Sequence, residues 1–180
     1  MKDAARIKKI LESLNKAYGA PPPFRPSPPV DELIRTILSQ NTSDRNSLKA
    51  FAVLKRNFRS WGALVYTRTG MVSRLIRHAG LSRIKAARIK GVLNEIKRRE
   101  GRIDLSSLND LSVEEASAYL RSLKGVGFKT AACVLLFSFG RPVMPVDTHI
   151  FRVSKRLGII DRGMTVEEAH LFLSERVPIV

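Results

Sequence analysis

The chain has 180 residues, 32 of them Lys or Arg against 16 Asp or Glu, for a net charge of +16. That length bounds it to one large domain or two small ones. The excess of cations points to a polyanionic partner, nucleic acid foremost, while a ribosome-associated protein or a plain solvated basic surface stays open on charge alone. No run of 18 apolar residues offers a membrane span, and no apolar signal core opens the chain, so a cytoplasmic, nucleoid-associated location is expected. The one cysteine, Cys133, excludes an internal disulfide and a cysteine-rich metal site within these residues.

Residues 2–18 predict an amphipathic helix, with Ile7, Ile10, Leu11 and Leu14 on one face. Proline lacks an amide donor, so the stretch PPPFRPSPP at 21–29 predicts a stiff linker or wrapping arm. Val30, Leu33, Ile34, Ile37 and Leu38 mark a second helix, which stops at the polar cluster SQNTSD, residues 39–44. Gln40 and Asn41 in that cluster read, taken alone, as loop and capping residues. The next helix is expected to bury Leu48, Phe51, Leu54 and Phe58. Residues 60–80 suggest two short helices broken at Thr67 to Gly70, and Leu81 follows in a turn. Ser82 to Arg99 predicts a basic helix with Ile89, Val92, Leu93 and Ile96 inward. Its cations, Lys85 and Arg88 among them, supply either a polyanion contact or a solvated face.

Ser112 and Glu115 form a capping-box pattern ahead of a helix with Val113, Ala116, Leu120 and Leu123 on its apolar side. After the glycine turn, Ala131 to Phe137 are apolar all round and predict a buried helix. Asp147 starts a helix carrying Ile150, Val153 and Leu157, and Thr165 with Glu168 repeats the capping box for a last helix ending near Val177-Pro178. Nothing alternates with period two. The fold class expected is all-α, with about nine or ten helices.

The turn Gly125-Val126-Gly127 sits between two helical patterns. Glycine admits positive φ and close approach of another backbone. Amides of such a turn, together with the N-terminus of the following helix, can receive a phosphate. Lys129 and Thr130 follow at once in that helix's first turn. A plain helix–helix turn remains the bland alternative, with Lys129 a first-turn cation and Asp147 a helix cap.

LKGVGFKTA, followed by VDTHIFRVSKRLG, resembles the helix-hairpin-helix DNA glycosylases, most closely those of the endonuclease III type. LSQNTSDRN at 38–46 and AGLSRIKAARIK at 79–90 are similar to two further motifs of that family, in the same order. The resemblance implies two helical lobes with the active site in the cleft between them. One lobe spans 27–141 and ends in the helix-hairpin-helix motif, about 113–139. The other combines 1–26 with 142–180. It also implies a monomer acting on double-stranded DNA that contains damaged bases or abasic sites. Lys129 would be the nucleophile that forms a Schiff base and Asp147 the catalytic carboxylate. Leu81 would be the wedge beside a flipped nucleotide, and Gln40 or Asn41 the amide filling the vacated space. Lys85, Lys124, Gly125, Val126, Gly127, Thr130 and His149 complete the expected DNA contacts.

The chemistry has its own logic. Free lysine is almost wholly ammonium at neutral pH. A helix N-terminus and loss of water both disfavour that form, whereas a nearby carboxylate stabilises it yet can also accept the proton. A base inside a duplex is shielded, so attack requires flipping. Two features depart from the family's pattern. Lys124 stands where the hairpin usually has proline. The chain also stops at Val180, where relatives usually continue to four cysteines holding a [4Fe-4S] cluster. A missing C-terminal segment is expected, with a cluster-free variant the alternative. No cofactor is expected on the residues present, apart from a monovalent cation on the hairpin carbonyls. A non-catalytic DNA-binding module and a monofunctional glycosylase for mismatched uracil or thymine remain the competing readings.

Overall fold

The computed structural model describes residues 2–177, with side chains from residue 5 onward. Among these residues the regular structure is helical throughout, in ten α-helices. They are α1 (Lys2–Tyr18), α2 (Pro29–Ser39), α3 (Asp44–Asn57), α4 (Trp61–Tyr66), α5 (Thr69–Leu75), α6 (Ser82–Glu100), α7 (Val113–Ser122), α8 (Phe128–Phe139), α9 (Thr148–Arg156) and α10 (Val166–Arg176). Short 3-10 turns at Arg77–Ala79 and Ser106–Asp110 join their neighbours. The ends of the last segment, residues 178–180, lie outside the described residues.

Helix α8 is the central member because its sequence is apolar on nearly every side. Ala131 to Leu135 are all buried, and α2 and α7 pack against it. Phe137, expected to join them, is 44% exposed, since it faces out at the end of the helix where no other element covers it fully. The α2 stripe Leu33, Ile34, Ile37 and Leu38 is completely buried, and Ile89, Leu93 and Ile96 of α6 close the same core. Each such side chain withdrawn from water stabilises the fold by about 1.5–3 kcal/mol before entropy is counted. In α3 the buried positions are Ser47, Ala50 and Leu54, whereas Leu48 is 54% exposed. At 3.6 residues per turn Leu48 sits about 100° round the helix from Ser47 and further still from Ala50 and Leu54, which takes it off the buried face.

The proline-rich arm is a wrapping element. Pro29 occupies the first turn of α2, where its missing amide costs nothing. Ser27 N donates to Phe137 O at 2.9 Å, and the Phe24 ring packs on Gly140, the left-handed cap of α8. A second, smaller cluster forms around Val146, Ile160, Ala169 and Leu173, with Ile150 and Phe151 of α9 against it. Ile7 of α1 is buried, and Ile10, Leu11 and Leu14 face α9 across a groove. Val153 and Leu157, read as inward residues of α9, line that groove and stay 47% and 38% exposed because α1 does not close on them.

Candidate active site

Both capping boxes form. Ser112 Oγ accepts from Glu115 N at 3.2 Å while Glu115 Oε2 accepts from Ser112 N at 2.9 Å, and Thr165 with Glu168 repeats the arrangement. The first of these starts α7 and fixes the entry to the hairpin. Leu123 and Val126 are buried beneath the turn, and Val126 N donates to Leu123 O at 3.0 Å. Gly125 takes φ +88°, a conformation that favours glycine. A Cβ there would stand 2.6 Å from Arg88 Cδ, so the hairpin lies directly on the Arg88 side chain only because residue 125 has none. Gly127 precedes α8 in extended conformation without a side-chain cap. The first amides of α8 therefore lack intrahelical acceptors, with Lys124, Gly125 and Gly127 exposed beside them.

Val126 does not fit the role expected of it: its side chain is in the core and its amide is already bonded. Thr130 also faces inward, 4% exposed, where its hydroxyl accepts from Gln40 Nε2 at 3.3 Å. Lys129, one residue earlier, is half-buried. The Cys133 thiol, one turn along α8, is pushed up by burial, against the nearby Lys129, which pulls it back foremost by its charge, while the Glu32 carboxylate raises it and Thr36 lowers it slightly. Glu32 is itself buried and accepts from Ser27 Oγ at 2.9 Å and Thr36 Oγ1 at 3.3 Å. This polar string behind Lys129 had no signature in the sequence beyond an i, i+4 spacing on each helix.

Asp147 is the N-cap of α9. Its Oδ1 accepts from His149 N at 2.9 Å and Ile150 N at 2.8 Å, which leaves Oδ2 without a partner among the described residues. The segment leading into it is held by His170, whose ring stacks on Phe128, the residue before Lys129, with centroids 5.8 Å apart. His170 Nδ1 lies 3.2 Å from Val146 N and 2.9 Å from Met144 O. His149 is exposed, with its ring nitrogen 3.2 Å from Arg152 Nη2.

Two turns meet at the other edge of the hairpin. Asn41 (φ +51°) and Leu81 (φ +45°) are the non-glycine residues with positive φ among those described. Both are exposed, and a Cβ on the intervening Gly80 would lie 3.9 Å from Asn41 O. Left-handed backbone costs an ordinary residue about 1–2 kcal/mol, and such strain gathers where function holds it. Lys85 explains how it is held. Expected as a DNA contact, it is instead 2% exposed, because its ammonium donates to Leu38 O at 2.7 Å and Ala79 O at 2.6 Å. It ties together the carbonyls at the ends of the two segments that lead into Asn41 and Leu81. Burial, with a smaller effect from the Arg88 charge, lowers its pKa. One turn on, Arg88 Nη1 donates to Gln40 Oε1.

Residues to hold an iron–sulfur cluster are not among those described. Cys133 is the one cysteine, buried in α8, and no three His, Cys, Asp or Glu side chains gather to hold a metal ion. Nor is any described helix long and apolar enough to cross a membrane.

An uncapped helix behind a glycine hairpin, a lysine in its first turn and an aspartate opening the next helix define the helix-hairpin-helix class. Residues 34–178 match the family described as HhH-GPD superfamily base excision DNA repair protein, and the chain belongs to that family. It is 34% identical over 171 residues to endonuclease III of Thermotoga maritima, covering 95% of this chain and 73% of that one. It is 38% identical over 149 residues to an Arabidopsis thaliana protein provisionally named a DNA glycosylase, covering 83% of this chain but only 51% of that protein, so the chain spans about half the length of this relative. The structure of an endonuclease III trapped as a covalent intermediate with DNA superposes with a TM-score of 0.81 at 28% identity, over 97% of this chain and 78% of that one.

Proposed function

We propose that the chain is a bifunctional DNA glycosylase of base excision repair, removing damaged pyrimidines from duplex DNA and then cutting the abasic strand. The observation that carries this reading is the placement of Lys129 in the first turn of α8, behind the hairpin, with Asp147 opening α9. Formation of a covalent DNA intermediate by an endonuclease III relative supports it.

In this reading the exposed hairpin amides and Lys124 receive a backbone phosphate. The free amine of Lys129 attacks C1′ of the flipped nucleoside, and the C1′–N bond breaks with its electron pair leaving on the base, which takes up a proton. The C1′–O4′ bond of the sugar ring then opens, O4′ takes up a proton, and the protonated Schiff base so formed acidifies C2′. Loss of a C2′ proton expels the 3′ phosphate, and water then releases the sugar fragment and restores the lysine. Asp147, with Oδ1 occupied as a cap, keeps Oδ2 for the proton from the lysine and for the positive charge developing on the sugar. The two hydrophobic clusters fit two lobes, 27–141 and 1–26 with 142–180, that face each other across the substrate. A monovalent cation on the hairpin carbonyls belongs to the same reading.

The test is borohydride trapping on a duplex with one abasic site. Wild type is expected to give a covalent complex, and folded Lys129→Ala none. Base release without trapping would favour a monofunctional glycosylase, and salt-sensitive binding without either reaction a non-catalytic module.

A further inference from the structure

We propose that Arg88 is a positioning residue that locks the helix carrying Lys129 to the DNA-inserting edge, and that the inserting amide is Asn41 while Gln40 is held inside as the middle of the lock. The inference rests on the function proposed above and assigns parts within it.

Gln40 is engaged at both ends of its amide. A guanidinium can only donate, so the oxygen of Gln40 faces Arg88 and its nitrogen faces the buried Thr130 hydroxyl at 3.3 Å. Moving Gln40 into a duplex would break both bonds, one of them charge-assisted, and strand the Thr130 hydroxyl in the core. Asn41 carries no such restraint. It is exposed, in left-handed conformation, and its turn abuts the one that presents Leu81, itself 53% exposed. The pair Asn41 and Leu81 thus forms a two-pronged edge, and Lys85 fixes the spacing of the prongs from below.

Arg88 joins this edge to the chemistry. Its aliphatic stem fills the space above Gly125, its guanidinium holds Gln40, and Gln40 reaches the residue next to Lys129. Two cations one turn apart on α6 therefore divide the work. Lys85 sets where the duplex is opened, and Arg88 sets where the nucleophile stands relative to that opening. A displacement of about 1 Å in such an arrangement can slow chemistry by about a hundredfold.

The experiment uses the whole chain with two duplexes. One carries an unreactive tetrahydrofuran site opposite 2-aminopurine, so that fluorescence reports insertion without chemistry, and binding is followed against KCl. The other carries a natural abasic site for single-turnover borohydride trapping at saturating protein. Asn41→Ala is expected to lose the fluorescence response. Arg88→Ala and Gln40→Ala are expected to keep it and to trap at least about tenfold more slowly, as a misplaced nucleophile would. Gln40→Glu separates the two roles of Gln40. Its carboxylate can still accept from Arg88 and from the Thr130 hydroxyl, so it should trap about tenfold faster than Gln40→Ala. A glutamine that enters DNA would tolerate a carboxylate no better than alanine.

Three results would overturn the proposal. One is a fluorescence response lost in Gln40→Ala and kept in Asn41→Ala. Another is an Arg88→Ala protein whose salt dependence falls by about one phosphate contact while trapping at saturation is unchanged, the mark of a direct DNA contact. The third is Gln40→Glu trapping no faster than Gln40→Ala. If Arg88→Ala does not fold, the paired Gln40 variants decide the matter. If wild type binds but never traps, the lyase reading fails, and the fluorescence series still decides which amide inserts.

Discussion

In the proposed function Asp147 caps α9 with Oδ1 and serves the chemistry with Oδ2, and substitutions can separate the two. Asparagine caps a helix as well as aspartate does, so Asp147→Asn should melt within a degree or two of wild type yet lose most of its trapping and base release. Asp147→Ala loses the cap as well and should be destabilised by about 1 kcal/mol. Equal melting of the two variants in a thermal scan would count against the cap. His170 offers a pH test. Its Nδ1 lies between Val146 N at 3.2 Å and Met144 O at 2.9 Å, and its Nε2 is buried without a partner among the described residues. Burial lowers its pKa below the ordinary 6.5, against smaller opposing effects from the Met144 carbonyl and Glu167. The unfolded chain then binds the extra proton first, so the stability held by neutral His170 is complete above about pH 6.5 and is lost as pH falls below it. The melting temperature should drop between pH 7.5 and 5.5, and His170→Gln should flatten that drop. At this scale the sequence was readable for position, since Lys129 lies in the first turn of α8 and Asp147 caps α9 as their spacing predicts. It misled at Lys85, Val126 and Thr130, because a basic or polar letter does not say whether its side chain points out or caps carbonyls within.

Among the elements, α6 is the one whose role changed most between sequence and structure. Its inward stripe was plain from helical period, and its basic letters suggested a DNA-facing surface. Lys85 instead satisfies two helix-end carbonyls, a contact 47 residues distant in the chain for Leu38 that no local pattern announces. Lys85→Met would fill the space but leave both carbonyls without their donor, a loss of about 1–3 kcal/mol for each buried group. Chemical denaturation should show it, together with a weaker 2-aminopurine response as the Asn41 and Leu81 turns part. A stable variant with an unchanged response would remove Lys85 from this account. Elements with caps were legible to their ends, since Ser112 with Glu115 and Thr165 with Glu168 are short-range signals. The 3-10 turns at Arg77–Ala79 and Ser106–Asp110 were not, because three to five residues carry no readable period.

For the molecule as a whole, the charge of +16 should appear as steep salt dependence, the logarithm of affinity falling by about 0.9 per phosphate contacted for each unit in log salt. Lys124→Ala, exposed at the hairpin, should lower that slope by about one. All-helical architecture and family followed from caps, periods and three collinear motifs. The division into a large and a small cluster around Leu33 and Val146 depends on long-range packing, which no local pattern in the sequence reveals. The central claim is that one amine, in one turn of α8, becomes bonded to DNA. It is tested most directly by reducing the complex formed with an abasic-site duplex, digesting it and locating the adduct by mass spectrometry. The expected result is the mass of the reduced sugar remnant on Lys129 alone. An adduct on the N-terminal amine or another lysine would contradict it.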